Sequence, residues 1–160
     1  MKLYKLIKDV YEYILSTNPS GEMLIASYGI YCGLNACGAD RYNDTAKFLS
    51  DIQKFNVKIK AIVGIFYPQP CPNCGSTRAR DNYIKRLNRH LVEYSNILDI
   101  RFVPLSHLKF ILWNDDNVMM GGMNYLSSSD WHDISIYIKD KELYNHLKES
   151  FINLWGYNVD

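Results

Sequence analysis

His107-Leu108-Lys109-Phe110-Ile111-Leu112-Trp113-Asn114-Asp115-Asp116-Asn117-Val118-Met119-Met120-Gly121-Gly122-Met123-Asn124 is the stretch on which the reading of this chain turns. The apolar run ending at Trp113 predicts a strand over 107–113. Asp115-Asp116-Asn117 is turn chemistry, and Val118 to Met120 returns as the second arm of a hairpin. His107 and Lys109 are two apart, so on a strand they share a face, while Phe110 and Leu112 point from the other face into a core. An imidazole is a competent nucleophile toward phosphorus, and the resulting phosphohistidine splits one hard displacement into two easier ones. Lys109 supplies positive charge to the non-bridging oxygens and Asn124 supplies amide hydrogens. Gly121 and Gly122 remove side chains where a phosphate would approach the backbone. Preorganised donors of this kind stabilise charge that develops in a transition state, with no metal required.

Outward from the hairpin, the pattern alternates strands with helices. Leu3, Leu6, Ile7, Val10 and Ile14 recur at helical spacing and predict a helix over 2–16, ended by Asn18-Pro19-Ser20-Gly21. Strands are expected at 23–31, 57–67 and 100–103. A helix capped by Asn43 or Asp44, with Phe48, Leu49 and Ile52 on one face, lies between the first two. A further helix is expected over 77–94. After the hairpin, Ile134, Ile136 and Ile138 alternate as a last strand, and Lys141 to Trp155 closes the chain as a helix. This order implies an α/β fold with a mixed, mostly parallel sheet and helices on both faces. No internal repeat or linker is visible, so residues 1–160 are expected to form one domain.

The bulk composition narrows the function classes. Hydrophobic content of 48% and charged content of 22% are those of a globular chain. With a net charge of +1, any affinity for nucleic acid must come from a local patch. Arg78, Arg80, Lys85, Arg86 and Arg89, with Asp81 the lone acid among them, would supply one; a solvated helix face explains them equally well. The apolar runs are too short to span a bilayer. The N-terminal lysines have no continuous apolar run behind them, so a cytoplasmic location without stable membrane association is expected. Tyr28, Tyr31, Tyr42 and Tyr67 fall near strand ends, where they would stack bases or pack at the rim of the core.

The hairpin closely resembles the H-x-K-x4-D-x6-G-G/S-x-N signature of the phospholipase D superfamily. The likeness covers residues 100–156 and includes Trp131-His132-Asp133-Ile134 leading into a strand and Phe151-x-x-x-Trp155 in the closing helix. The Gly-Gly-x-Asn followed by Trp-x-Asp is similar to the first repeat of bacterial cardiolipin synthases. Over residues 1–99 it rests on strand–helix order and on Ile25-Ala26-Ser27-Tyr28. The chain departs from the pattern at Asn114, where the family carries aspartate. Five residues from Lys109, Asn114 faces away from the phosphate on an unbroken strand, so it would act at one remove, with Asp115 as a neighbour able to substitute. The resemblance implies a phospholipase D-like single repeat, and a carboxylate after Gly-Gly-x-Asn that orients a histidine. Asp133 is the candidate, with His132 second.

One imidazole cannot attack phosphorus and also protonate the leaving oxygen in the same step. Two-repeat members of the family supply a second motif, and this chain has one. Two chains paired about a twofold axis would bring two copies of His107 to one phosphate. The leading expectation is therefore a homodimeric endonuclease with no catalytic cofactor, acting on DNA or RNA. A phospholipase or phosphatidyltransferase is the alternative within the superfamily. A nucleic-acid-binding module weakened by Asn114 is a third reading. Separately, Cys32 and Cys37 follow the first predicted parallel strand, and Cys71 and Cys74 follow the second. Four thiolates from neighbouring loops suit tetrahedral zinc, while a redox pair at Cys71 and Cys74 or four unrelated reduced cysteines fit the same spacing.

Overall fold

A computed structural model describes residues 1–28, 43–64, 92–103, 106–126 and 133–156. Within these, seven strands form one sheet: β1 (Lys2–Tyr4), β2 (Gly21–Ser27), β3 (Val57–Val63), β4 (Leu98–Phe102), β5 (Phe110–Trp113), β6 (Asn117–Gly121) and β7 (Ser135–Lys139). The described helices are α1 (Ile7–Ser16), α2 (Asn43–Ile52) and α3 (Lys141–Trp155). The strands are ordered β1-β7-β6-β5-β2-β3-β4.

The sheet is mixed, as expected, but its parallel character needs correction. Only β2–β3 and β3–β4 are parallel pairs; β2–β5, β5–β6, β6–β7 and β1–β7 are antiparallel. Five of the seven strands point the same way, yet most neighbours oppose one another, because the β5–β6 hairpin and β7 follow one another by direct reversal. Helix α2 is the crossover between the parallel neighbours β2 and β3, where parallel pairing demands one.

The strands facing both layers are apolar on both faces. On β2, Met23 and Ile25 pack with α1 and α2, whereas Leu24 and Ala26 pack with α3. The same alternation puts Ile111 and Trp113 of β5 on the first side and Phe110 and Leu112 on the second. Helix α1 buries Ile7, Val10, Tyr11 and Ile14, and α2 buries Phe48, Leu49 and Ile52. Each aliphatic side chain so buried contributes about 1.5–3 kcal/mol. Tyr11 stacks on Phe48 with ring centroids 4.3 Å apart. Helix α3 starts where Asp140 accepts a hydrogen bond from the Leu143 amide at 2.9 Å, an N-cap. It buries Tyr144 and Phe151, and Phe151 stacks on Trp155.

The N-terminal segment differs from its expectation. Residues 2–4 form a strand paired with Ser135–Tyr137, and the helix begins only at Ile7. Leu3, counted in the helical stripe, is 63% exposed. The strand expected over 107–113 is shorter, with ladder pairing from Phe110 to Trp113. The helix expected over 77–94 falls almost wholly outside the described residues.

Candidate active site

Strand direction collects the chemistry at one edge. The parallel strands β2, β3 and β4 end at Ser27, Val63 and Phe102, and β6 ends at Gly121. The antiparallel strands β5 and β7 begin there, so Ser106–Lys109 and Asp133–Ile134 enter the sheet at the same edge. In open α/β sheets this carboxyl edge is where ligands bind, at the point where the strand order diverges. Here β2 is that point, with β3 on one side and β5 on the other.

The backbone ladder then sets the residues against one another. Phe110 pairs with Met120, and the Gly121 amide reaches the Lys109 carbonyl at 3.5 Å. Gly121 in turn pairs with Ser135, and the Gly122 amide donates to the Ile134 carbonyl at 3.0 Å. Lys109, Gly121–Gly122 and Asp133–Ile134 are therefore side by side. Leu108 packs against the cluster that holds Phe110 and Leu112, so alternation extends ahead of the start of β5. His107 is exposed and Lys109 half-buried. The His107 ring rests against Tyr28, with centroids 4.5 Å apart and planes tilted by 53°.

Asn124 lies on the loop that follows β6. Its Oδ1 is buried and has no hydrogen-bond partner among the described residues, whereas buried polar atoms are nearly always paired. The loop that carries it is firmly held. The Tyr11 hydroxyl donates to the Tyr125 carbonyl at 2.6 Å and, with its proton so placed, accepts from Thr45 at 3.0 Å. Tyr125 and Ser135 hydroxyls meet at 2.7 Å, and the Leu126 amide reaches Ser27 Oγ at 3.4 Å. Burial pushes the Tyr125 hydroxyl above the usual phenol range; the Ser135 bond acts the other way, and the charge of Asp133 adds to the rise.

The glycines have a structural reason of their own. A Cβ on Gly121 would stand 2.1 Å from the Ile134 carbonyl oxygen and 2.8 Å from the Ser135 Cα. Gly121 is thus required by the approach of β7. A Cβ on Gly122 would lie 3.0 Å from an Asp133 carboxylate oxygen, so this glycine makes room for that side chain. Gly64, not singled out in the sequence, has the same character: a Cβ there would meet the Ser106 carbonyl at 2.5 Å and the Tyr28 carbonyl at 2.8 Å. Its signal was a glycine interrupting the apolar run of 57–67.

Asn114 sits at the opposite edge. Five residues of extended chain separate it from Lys109 by roughly 15 Å, so it has no direct contact with the edge that carries His107. It lies on the β5–β6 turn with φ of 50°, beside Asp115 with φ of 63°. Its Oδ1 accepts from the Ser20 amide at 2.9 Å, and its Nδ2 donates to the Thr17 carbonyl at 3.4 Å. Asp115 shares that turn and does not substitute for it at the site. Among the described residues no cluster of three or more His, Cys, Asp or Glu side chains could hold a metal. Cys32, Cys37, Cys71 and Cys74 lie outside the described residues, as do Arg78, Arg80, Lys85, Arg86, Arg89, Trp131 and His132.

No family model matches the chain, and no curated protein matches it. Solved structures do. NucT from Helicobacter pylori is 12% identical, with a TM-score of 0.53 over 96% of this chain and 94% of that one. Nuc from Salmonella typhimurium, a phospholipase D family member, is 14% identical, with a TM-score of 0.54 over 92% of this chain and 86% of its own. TrmBL2, an archaeal chromatin protein with a novel mode of DNA binding, is 17% identical, with a TM-score of 0.54 over 96% of this chain. This chain spans about half of TrmBL2, 51% of its length. The chain has a phospholipase D-like fold.

Proposed function

We propose that the protein is a metal-independent phosphodiesterase, an endonuclease that works as a homodimer through a phosphohistidine on His107. The observation that carries this reading is the unpartnered Oδ1 of Asn124 at the carboxyl edge that also presents His107 and Lys109. A half-turn of the amide puts an NH2 donor where Oδ1 stands, and a phosphate oxygen is an acceptor it would meet there. His107 attacks phosphorus, Lys109 and Asn124 balance the charge on the non-bridging oxygens, and the bond to the leaving oxygen breaks. The leaving oxygen takes its proton from His107 of a second copy of the chain. That imidazole then accepts a proton from the water that hydrolyses the phosphohistidine. Asp133, seated over Gly122, orients an imidazole. Likeness in fold to NucT and Nuc supports nucleic acid as the substrate class.

Plasmid and single-stranded DNA or RNA should be cut in excess EDTA, by a species that sediments as a dimer. Requirement for a divalent ion, or activity retained in monomer at equal protein concentration, would refute the mechanism. Phosphatidyl transfer without nucleic-acid cleavage would instead favour a lipid enzyme. Salt-sensitive DNA binding without turnover on any phosphodiester would favour a binding module, a reading the likeness in fold to TrmBL2 also supports. Structural zinc on the four cysteines is a separate proposal; protein purified without chelator and containing far less than one zinc per chain would remove it.

A further inference from the structure

We infer that Tyr28 is a positioning residue for His107, and that Gly64 is glycine so that the two can meet. This rests on the phosphodiesterase reading and names a residue that the hairpin motif does not contain. An exposed imidazole hops among staggered rotamers within nanoseconds, and only some aim a ring nitrogen in line with a scissile phosphate bond. The Tyr28 ring blocks one side of His107, at a centroid distance of 4.5 Å.

Tyr28 is a suitable wall because it follows directly on β2, whose Met23–Ser27 are buried and which is paired on both sides. Gly64 closes the arrangement. Its amide donates to the Ser27 carbonyl at 3.0 Å, and its missing Cβ is the space in which the Ser106 carbonyl and the Tyr28 backbone converge. A Cβ there would also stand 3.0 Å from Tyr28 Cδ2, so any larger residue at 64 displaces the ring or the segment that carries His107. In the sequence, Tyr28 and Gly64 are 36 positions apart, Gly64 and Ser106 are 42 apart, and Tyr28 and His107 are 79 apart. Only the fold brings them together.

The test compares Tyr28→Leu, Tyr28→Phe and Gly64→Ala in steady-state cleavage of a chromogenic phosphodiester. Misaimed nucleophiles lose turnover rather than binding, so Tyr28→Leu should lower kcat by about 10- to 100-fold with KM nearly unchanged. Tyr28→Phe keeps the ring and should restore kcat, and Gly64→Ala should behave like Tyr28→Leu. An equal loss in Tyr28→Phe would assign the effect to the hydroxyl and overturn the proposal, as would full activity in Tyr28→Leu. A second readout needs no activity: the ring-current displacement of the His107 ring protons in NMR spectra should vanish in Tyr28→Leu and persist in Tyr28→Phe. If the wild-type protein cleaves no phosphodiester, the functional reading fails by itself. The NMR comparison then decides the contact, and His107 shifts unmoved by Tyr28→Leu would refute it.

Discussion

The two ends of the β5–β6 hairpin carry similar residues put to opposite uses. At the turn, Asn114 is bonded through both ends of its amide to the chain after α1. Asn117 donates to Asp116 at 2.7 Å and accepts from Tyr137 at 2.7 Å, while Asp116 faces Lys139 at 3.4 Å. At the other end, Asn124 keeps a buried acceptor with no partner among the described residues, and His107 is exposed. Polar side chains matched within the protein hold the turn in place. Those left unmatched on a rigid frame are what the proposed site would turn toward a phosphate. The hairpin thus has one end bonded within the protein and one end at which the proposed site lies.

Substitutions should separate the two. The largest effect belongs to His107→Ala, which should lower phosphodiester cleavage by about 10^4-fold or more while leaving the melting curve in place, since a nucleophile is lost and no core contact is. Gly121→Ala should destabilise the fold by about 3 kcal/mol in denaturant titrations, because a methyl group cannot share space with the Ile134 carbonyl. Asn124→Ala should reduce kcat by about 10- to 100-fold. It should leave stability unchanged or slightly raised, since a buried orphan acceptor is removed; marked destabilisation would mean the amide has a structural task. Asn114→Ala should do the reverse, costing about 1–2 kcal/mol of stability with kcat per folded molecule preserved. The smallest effect is expected for Asn114→Asp, which keeps an oxygen for the Ser20 amide and should alter turnover by less than about threefold. A large gain in turnover there would couple the two ends and break the distinction.

Sequence periodicity located what depends on local pattern. The closing helix falls at Lys141–Trp155, the second helix presents Phe48, Leu49 and Ile52 inward, and the hairpin turns over Asn114-Asp115-Asp116, one residue ahead of the expected Asp115-Asp116-Asn117. What escaped it depends on partners far along the chain. Residues 2–4 become a strand only because β7 lies beside them, and three residues hold too little pattern to outweigh a stripe continuing at helical spacing through Ile14. The parallel excess was overestimated because β5 and β7 each insert antiparallel to β6. The motif glycines were legible as positions needing no side chain, and the obstacle visible in the fold is carbonyl and carboxylate from the β7 entry, which no local pattern announces. The family aspartate position looked catalytic because it lies within the signature; counting extended residues along β5 places it at the far edge instead.

Strand β2 has a ladder on each flank, parallel to β3 over seven residues and antiparallel to β5 over three. It is also covered on both faces. Its central amide protons should therefore be among the last to exchange with deuterated solvent, released only when the whole molecule opens. Strand β2 would then give the edge that carries His107 a floor that opens only with the global fold.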